Sequence, residues 1–154
     1  MAKVMTNGYI LEGNKLLLGL KKKGFGQGRW NGFGGKVKEG ESIEQAVARE
    51  FMEECSVKVK KSEQFGRIEF AWNSKPDILD VHFYKILEYE GEPKETEEMK
   101  PKWFNVNEIP YNEMWKDDPH WMPLFLKGKK FEGKILFNEK DEVIKAEIKE
   151  VQKF

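Results

Sequence analysis

Glu50, Glu53 and Glu54 stand within five residues of one another in the run Arg49-Glu50-Phe51-Met52-Glu53-Glu54. On a helix, at about 100° per residue, Ile43, Ala46, Val47 and Phe51 make one apolar face, and Glu50 and Glu54 project onto the same stripe with Glu53 a short way round. Like charges at that spacing repel, and burying a carboxylate with no partner costs several kcal/mol, so the arrangement demands a proton or a cation. Oxygen donors suit a hard divalent ion, and no Cys or His cluster stands nearby to favour zinc, which points to Mg²⁺, with Mn²⁺ as the alternative. Arg49 is spaced i,i+4 from Glu53 and is placed to hold it by an ion pair. A solvated acidic helix end is the ordinary fate of a Glu-Glu pair; the apolar stripe beneath this one tells against it. Just upstream, Gly34 and Gly35 let the backbone approach a charged ligand, and Lys36 adds positive charge where a polyphosphate would lie.

The elements that must position these groups are legible in outline. Ser42-Ile43-Glu44-Gln45 is a capping-box pattern and starts a helix running to about Cys55. Before it, residues 3–11 and 15–20 flank Gly13-Asn14 and predict a hairpin. Residues 21–35 carry Gly24, Gly26, Gly28, Gly32, Gly34 and Gly35 interleaved with Phe25, Trp30 and Phe33, which no helix or long flat strand tolerates, so a shaped loop is expected. Residues 65–72 and 78–87 predict strands around Asn73-Ser74-Lys75-Pro76, residues 103–106 a short strand, and residues 130–137 and 143–148 a terminal hairpin. A second helix is expected from Asp118-Pro119 through Leu126, and residues 91–100 read as a polar connection. These elements make an α/β chain with a mixed or antiparallel sheet.

A length of 154 residues suits one domain, residues 1–154, and no repeat or low-complexity linker divides it. Lys plus Arg and Asp plus Glu are equal at 27 each, so net charge favours neither a nucleic-acid polymer nor a membrane as partner. Any phosphate must be met locally. A single cysteine, Cys55, excludes an internal disulfide framework, and no apolar run near the start has the length of a signal peptide or membrane span. A cytoplasmic monomer is the expectation, with Cys55 a small half-buried helix residue and not a nucleophile.

Gly35, five residues, Glu41, seven residues, then Arg49-Glu50-Phe51-Met52-Glu53-Glu54-Cys55-Ser56-Val57 resembles the Nudix box, the signature of the Nudix hydrolase family, over 23 residues. Ser56 stands where the family usually has glycine, which puts the helix end in question. The resemblance implies an α/β/α sandwich with a mixed β-sheet. It also implies Mg²⁺ bound by Glu50, Glu53 and Glu54 with the Gly34 carbonyl, Arg49 orienting the carboxylates, and Glu54 as the base. In that family a water attacks an internal phosphorus, and the products are a nucleoside monophosphate and pyrophosphate.

A closer likeness, over residues 3–150, is to the branch of the family that hydrolyses oxidised purine nucleoside triphosphates such as 8-oxo-dGTP and 2-oxo-dATP. Residues 21–36, Glu98-Met99-Lys100-Pro101 and Met114-Trp115-Lys116-Asp117-Asp118 carry it. By that likeness Glu98 is a further metal ligand or water-positioning carboxylate, Asn31 reads a purine edge, and Phe25 and Trp115 sandwich the base. Asp117 and Asp118 face its Watson–Crick side, with Thr6 and Lys21 lining the same pocket and Phe33, Gly34, Gly35, Lys36 and Lys116 completing the expected contacts. Two adjacent carboxyls need not both be ionised, so the pair is expected to take oxidised guanine and oxidised adenine by exchanging protons. Lys116 replaces an expected proline, which makes that loop more mobile and more positive.

Plainer roles compete for several of these residues. Asp118 before Pro119 reads equally as a helix N-cap. Trp30, Trp72, Trp103 and Trp121 suit core or rim packing, His82 a hydrogen-bonded structural histidine, and His120 carries no signal. The rival functions are another Nudix substrate, such as a methylated purine triphosphate, an RNA cap or a nucleoside diphosphate sugar, and a non-catalytic nucleotide-binding module. The last has no need of Glu50, Glu53 and Glu54 together.

Overall fold

A computed structural model describes residues 2–154. The described strands form one sheet in the order β3-β2-β1-β5-β4-β7-β8, with β6 also on β2. Their ranges are β1 (Ala2–Glu12), β2 (Lys15–Lys21), β3 (Trp30–Asn31), β4 (Lys58–Trp72), β5 (Lys75–Glu90), β6 (Met99–Asn105), β7 (Lys130–Phe137) and β8 (Val143–Val151). β1 runs parallel to β5 and β4 parallel to β7, while the other pairs are antiparallel, so the sheet is mixed.

Alternation along the strands builds a core on each face, because successive side chains point to opposite sides. Ile10, Leu17 and Tyr84 pack with Phe33, Val47 and Phe51 on the side of helix α1 (Ile43–Cys55). Their neighbours Tyr9, Leu16, Leu18 and Phe83 pack on the other side with Trp121, Met122 and Phe125 of helix α2 (Asp118–Leu126). The result is the expected α/β/α sandwich with a mixed sheet.

α1 begins as its sequence predicts: Ser42 Oγ accepts from the Gln45 N–H at 3.1 Å, and the Ser42 N–H donates to Gln45 Oε1 at 2.8 Å. It also ends in the usual left-handed residue, although that residue is Ser56, at φ 61° and ψ 25°, its N–H bonded to the Met52 carbonyl at 3.1 Å. The missing glycine therefore changes the energy of the helix end and leaves its geometry intact. Cys55 is fully buried, more deeply than its sequence suggested, and burial pushes its thiol up to about 12.

β4, β5 and β6 start well before their patterns indicate. β4 starts at Lys58 because residues 58–64, too charged to show alternation, continue the ladder against the end of β5 through register shifts. β5 takes in Lys75 and Pro76, which leaves Asn73 and Ser74 as the turn; Pro76 is tolerated because β1 begins to pair only at Ile78. β6 starts at Met99, so the polar connection ends at Glu98, which stands at the mouth of a strand.

Candidate active site

α1 turns Glu50 and Glu54 into the protein, at 9% and 2% exposure, on the stripe shared with Ala46, Val47 and Phe51. The Gly34 N–H donates to Glu54 Oε1 at 2.8 Å. Burial pushes the Glu54 carboxyl up to about 8, and the charges of Glu50 and Glu98 add to the effect against the opposing influence of Lys21 and the Gly34 N–H. Burial likewise raises Glu50, against the pull of Arg49.

Backbone sterics require Gly34, and Gly35 makes room for the Glu50 carboxylate. A Cβ on Gly34 would lie 1.9 Å from the Thr6 carbonyl oxygen, and one on Gly35 would lie 2.7 Å from Glu50 Oε1. The Thr6 N–H donates to the Gly35 carbonyl at 2.8 Å and so fixes this segment against β1.

Arg49 is the hub of the acidic cluster. Its Nε and Nη2 form a fork on Glu41 at 2.7 and 2.9 Å, its Nη1 donates to Glu50 Oε1 at 2.8 Å, and Glu53 takes only a longer contact at 3.4 Å. The i,i+4 spacing named Glu53 as the partner; the fork geometry of the guanidinium favours the carboxylate of Glu41, which is held down at about 2. Nη2 also donates to the Lys36 carbonyl at 3.1 Å. A polar hub at the other end of the helix had no sequence signal: Thr96 Oγ1 donates to the Glu54 carbonyl at 2.8 Å and accepts the Glu98 N–H at 3.2 Å. Thr96 thereby pins the Glu98 segment to the end of α1.

Among the described residues no three acidic side chains form a closed cage, since Arg49 draws Glu50 and Glu53 aside and Gly34 holds Glu54. The donor chemistry nevertheless fits a hard divalent cation. Glu54 is buried beside Glu50 and Glu98, and their mutual charge, which raises its carboxyl, is what such an ion would relieve.

Glu54, Gly34 and Gly35 also form part of the wall of a pocket that runs along the sheet to α2. Thr6, Lys21, Phe25, Asn31, Trp115, Asp117 and Asp118 line it, as expected, together with apolar residues of β4, β5 and β7 that include Phe70, Trp72 and Phe137. Asn7, which the sequence did not single out, lines it too, its Nδ2 donating to the hydroxyl of buried Tyr9 at 3.0 Å. Phe25 and Trp115 do not stand apart as two faces of a slot. Their centroids are 5.0 Å apart with the rings tilted by 34°, so they touch and form one wall.

Asp117 and Asp118 begin α2 yet leave its capping undone. Asp117 occupies the N-cap position with no side-chain cap bond; its Oδ2 accepts the Trp121 indole N–H at 2.9 Å instead. Both carboxyls are 5% exposed. Burial raises both, and the charge of Asp117 pushes Asp118 further.

Phe33, Lys36 and Lys116 are not brought to the pocket wall. Phe33 is fully buried against Phe51, ring centroids 5.1 Å apart, and serves the α1 core. Lys36 and Lys116 are exposed. Glu53 is the most exposed of the three clustered carboxylates, its side chain 44% exposed. Trp121 is core and Trp72 serves both core and pocket. His82 is held by Gln64 at 2.9 Å and burial lowers its pKa, as befits a structural histidine.

An acidic helix face seated beside an aromatic-lined pocket on a mixed sheet is the arrangement to be matched. The NUDIX domain model matches residues 3–149, and the chain belongs to the Nudix family. It is 42% identical over 151 residues, 98% of this chain and 97% of the relative, to the oxidized purine nucleoside triphosphate hydrolase of Danio rerio. The mouse protein of that name is 43% identical over 145 residues, covering 94% of this chain and 93% of its own. In fold the chain resembles a MutT protein from Bacillus halodurans, at a TM-score of 0.81 and 24% identity over 95% of this chain and 97% of that one.

Proposed function

We propose that this protein hydrolyses oxidised purine nucleoside triphosphates, 8-oxo-dGTP and 2-oxo-dATP among them, to the monophosphate and pyrophosphate, and so cleanses the nucleotide pool. The observation that carries the reading is the continuity of one pocket: Asn31, Asp117 and Asp118 supply polar discrimination, and the same wall includes Gly34, Gly35 and Glu54. A base and its phosphates thus have places in a single cleft. The near full-length likeness to vertebrate proteins named for this activity supports the same substrate class.

Glu50, Glu53, Glu54 and Glu98, with the Gly34 carbonyl, are the residues that would hold Mg²⁺, or Mn²⁺ in its place. The bound ion supplies charge neutralisation for the phosphate oxygens and lowers the pKa of water. Glu54, aimed by the Gly34 N–H and released to ionise once the local charge is offset, takes the proton from the attacking water. Arg49 keeps Glu50 in place, and Lys21 contributes positive charge beside Glu54. At the base end, the shared proton of Asp117 and Asp118 lets one carboxyl donate while the other accepts, so a transfer between them suits either oxidised guanine or oxidised adenine.

The reading includes a cytoplasmic monomer; no described helix is long and apolar enough to cross a membrane. The deciding experiment is pyrophosphate release with Mg²⁺ from 8-oxo-dGTP, 2-oxo-dATP and dGTP in parallel. Faster turnover of the oxidised nucleotides is expected; equal rates for all three would return the site to another Nudix substrate, and no turnover would reduce it to binding.

A further inference from the structure

Asp141 lies where three stretches distant in sequence meet behind the aromatic wall of the pocket. Its Oδ1 accepts the Trp72 indole N–H at 2.8 Å, and its Oδ2 is 3.9 Å from Arg29 Nη2. The Arg29 guanidinium in turn lies over the Trp115 ring, 4.2 Å from the centroid. Trp72 and Trp115 both pack on Phe137, at centroid distances of 5.3 and 5.9 Å, and all three rings line the pocket. One carboxylate therefore fixes one wall ring directly and a second through a stacked cation.

The β7–β8 turn holds Asp141 in place. Asn138 Oδ1 accepts the N–H groups of Lys140 and Glu142 at 2.9 and 3.0 Å, and the Asp141 N–H donates to the Asn138 carbonyl at 3.1 Å. Asp141 itself sits at φ 59°, in the left-handed region that favours glycine. Aspartate is among the few non-glycine residues that adopt this conformation readily, and here its carboxylate reaches past the turn to Trp72.

We propose that Asp141 is a positioning residue for base recognition, a clasp that sets the orientation of Trp72 and Trp115 against the purine. The inference rests on the purine site proposed above. The exposed pair with Arg29 contributes little by its own attraction. Its weight comes from the Trp72 hydrogen bond, on a ring only 6% exposed, and from holding Arg29 flat over Trp115.

Two variants test it. Asp141→Gly relieves the left-handed backbone while removing the clasp; Asp141→Asn keeps an oxygen for Trp72 and removes the charge facing Arg29. With 8-oxo-dGTP, Asp141→Gly should raise KM roughly fivefold to tenfold with kcat within about twofold, and Asp141→Asn should fall between. An unchanged KM in Asp141→Gly, the outcome for a residue that only shapes the turn, overturns the proposal. Exchange of the Trp72 indole proton, followed by NMR with no nucleotide present, should speed up in Asp141→Gly, and an unchanged rate also overturns it. Failure of the wild type to turn over 8-oxo-dGTP defeats the substrate reading by itself, and the indole exchange still decides the clasp.

Discussion

Glu54→Gln separates catalysis from stability at a single side chain. The Glu54 carboxyl is 2% exposed and pushed up to about 8, so without metal at pH 7 it keeps a proton that the same group, ionising near 4.5, has lost in the unfolded chain. The sign is opposite to that of a paired surface acid. Below pH 4.5 both states hold the proton and nothing is gained or lost; as pH rises from 4.5 towards 8 the unfolded state is progressively favoured. Over the interval from 4.5 to 7, at about 1.4 kcal/mol per pH unit, the destabilisation has an upper bound of about 3 kcal/mol.

Glutamine keeps the acceptor for the Gly34 N–H, now bonded at 2.8 Å, and removes the titration. In EDTA above pH 7 the variant should therefore melt higher than wild type, by roughly 2–4 °C for each kcal/mol recovered, and the two should converge near pH 4.5. Mg²⁺ should reverse the ranking, because it stabilises the ionised wild-type cluster and does little for the variant. Pyrophosphate release should fall by about 10²-fold or more while nucleotide binding persists. The assay is calorimetry across that pH range with and without Mg²⁺, beside turnover. A variant less stable than wild type in EDTA at pH 8, or one with near-normal turnover, refutes the reasoning.

Asp117→Asn should shift the ratio of kcat/KM between oxidised guanine and oxidised adenine nucleotides more than it shifts Mg²⁺ dependence; a uniform loss across nucleotides would contradict its place at the base. Arg49→Lys cannot form the fork on Glu41 and should cost roughly 10–100-fold in activity or apparent Mg²⁺ affinity, with intact values counting against Arg49 as the organiser. Ser56→Gly relieves a left-handed φ of 61° and should raise stability by about 1 kcal/mol, read from the denaturation midpoint. No gain there would mean that the serine pays its own strain back through contacts elsewhere.

The helix and its carboxylates were legible because their determinants are local. Capping box, apolar stripe and the acids at 50 and 54 all lie within about four turns of one helix, and 3.6-residue periodicity reports which groups face inward. Even there, ranking Glu41 above Glu53 as the partner of Arg49 required tertiary geometry, since Glu41 lies before the helix and reaches Arg49 across the box. Charged residues 58–64 concealed the start of β4 for a related reason: a long ladder to β5 holds them in a strand against their own weak pattern.

The base pocket belongs to a different order of information. Thr6, Lys21, Asn31, Trp72, Asp117 and Phe137 meet only because β1 pairs with β2 and β5, β4 with β7, and α2 covers the end of the sheet. No periodicity in the chain announces such a meeting, and the family resemblance supplied most of these residues in its place. Where the resemblance was silent, on Asn7, Thr96 and Asp141, Thr96 read only as part of a polar connection and the other two carried no signal of their own. The bonds of Thr96 to the Glu54 carbonyl and of Asp141 to Trp72 are tertiary, and each fastens a loop or turn to the reactive or aromatic part of the cleft, whereas Asn7 meets Tyr9 within β1. The catalytic acids can thus be found from one helix, whereas the discrimination among purines is set by how the sheet brings its turns together.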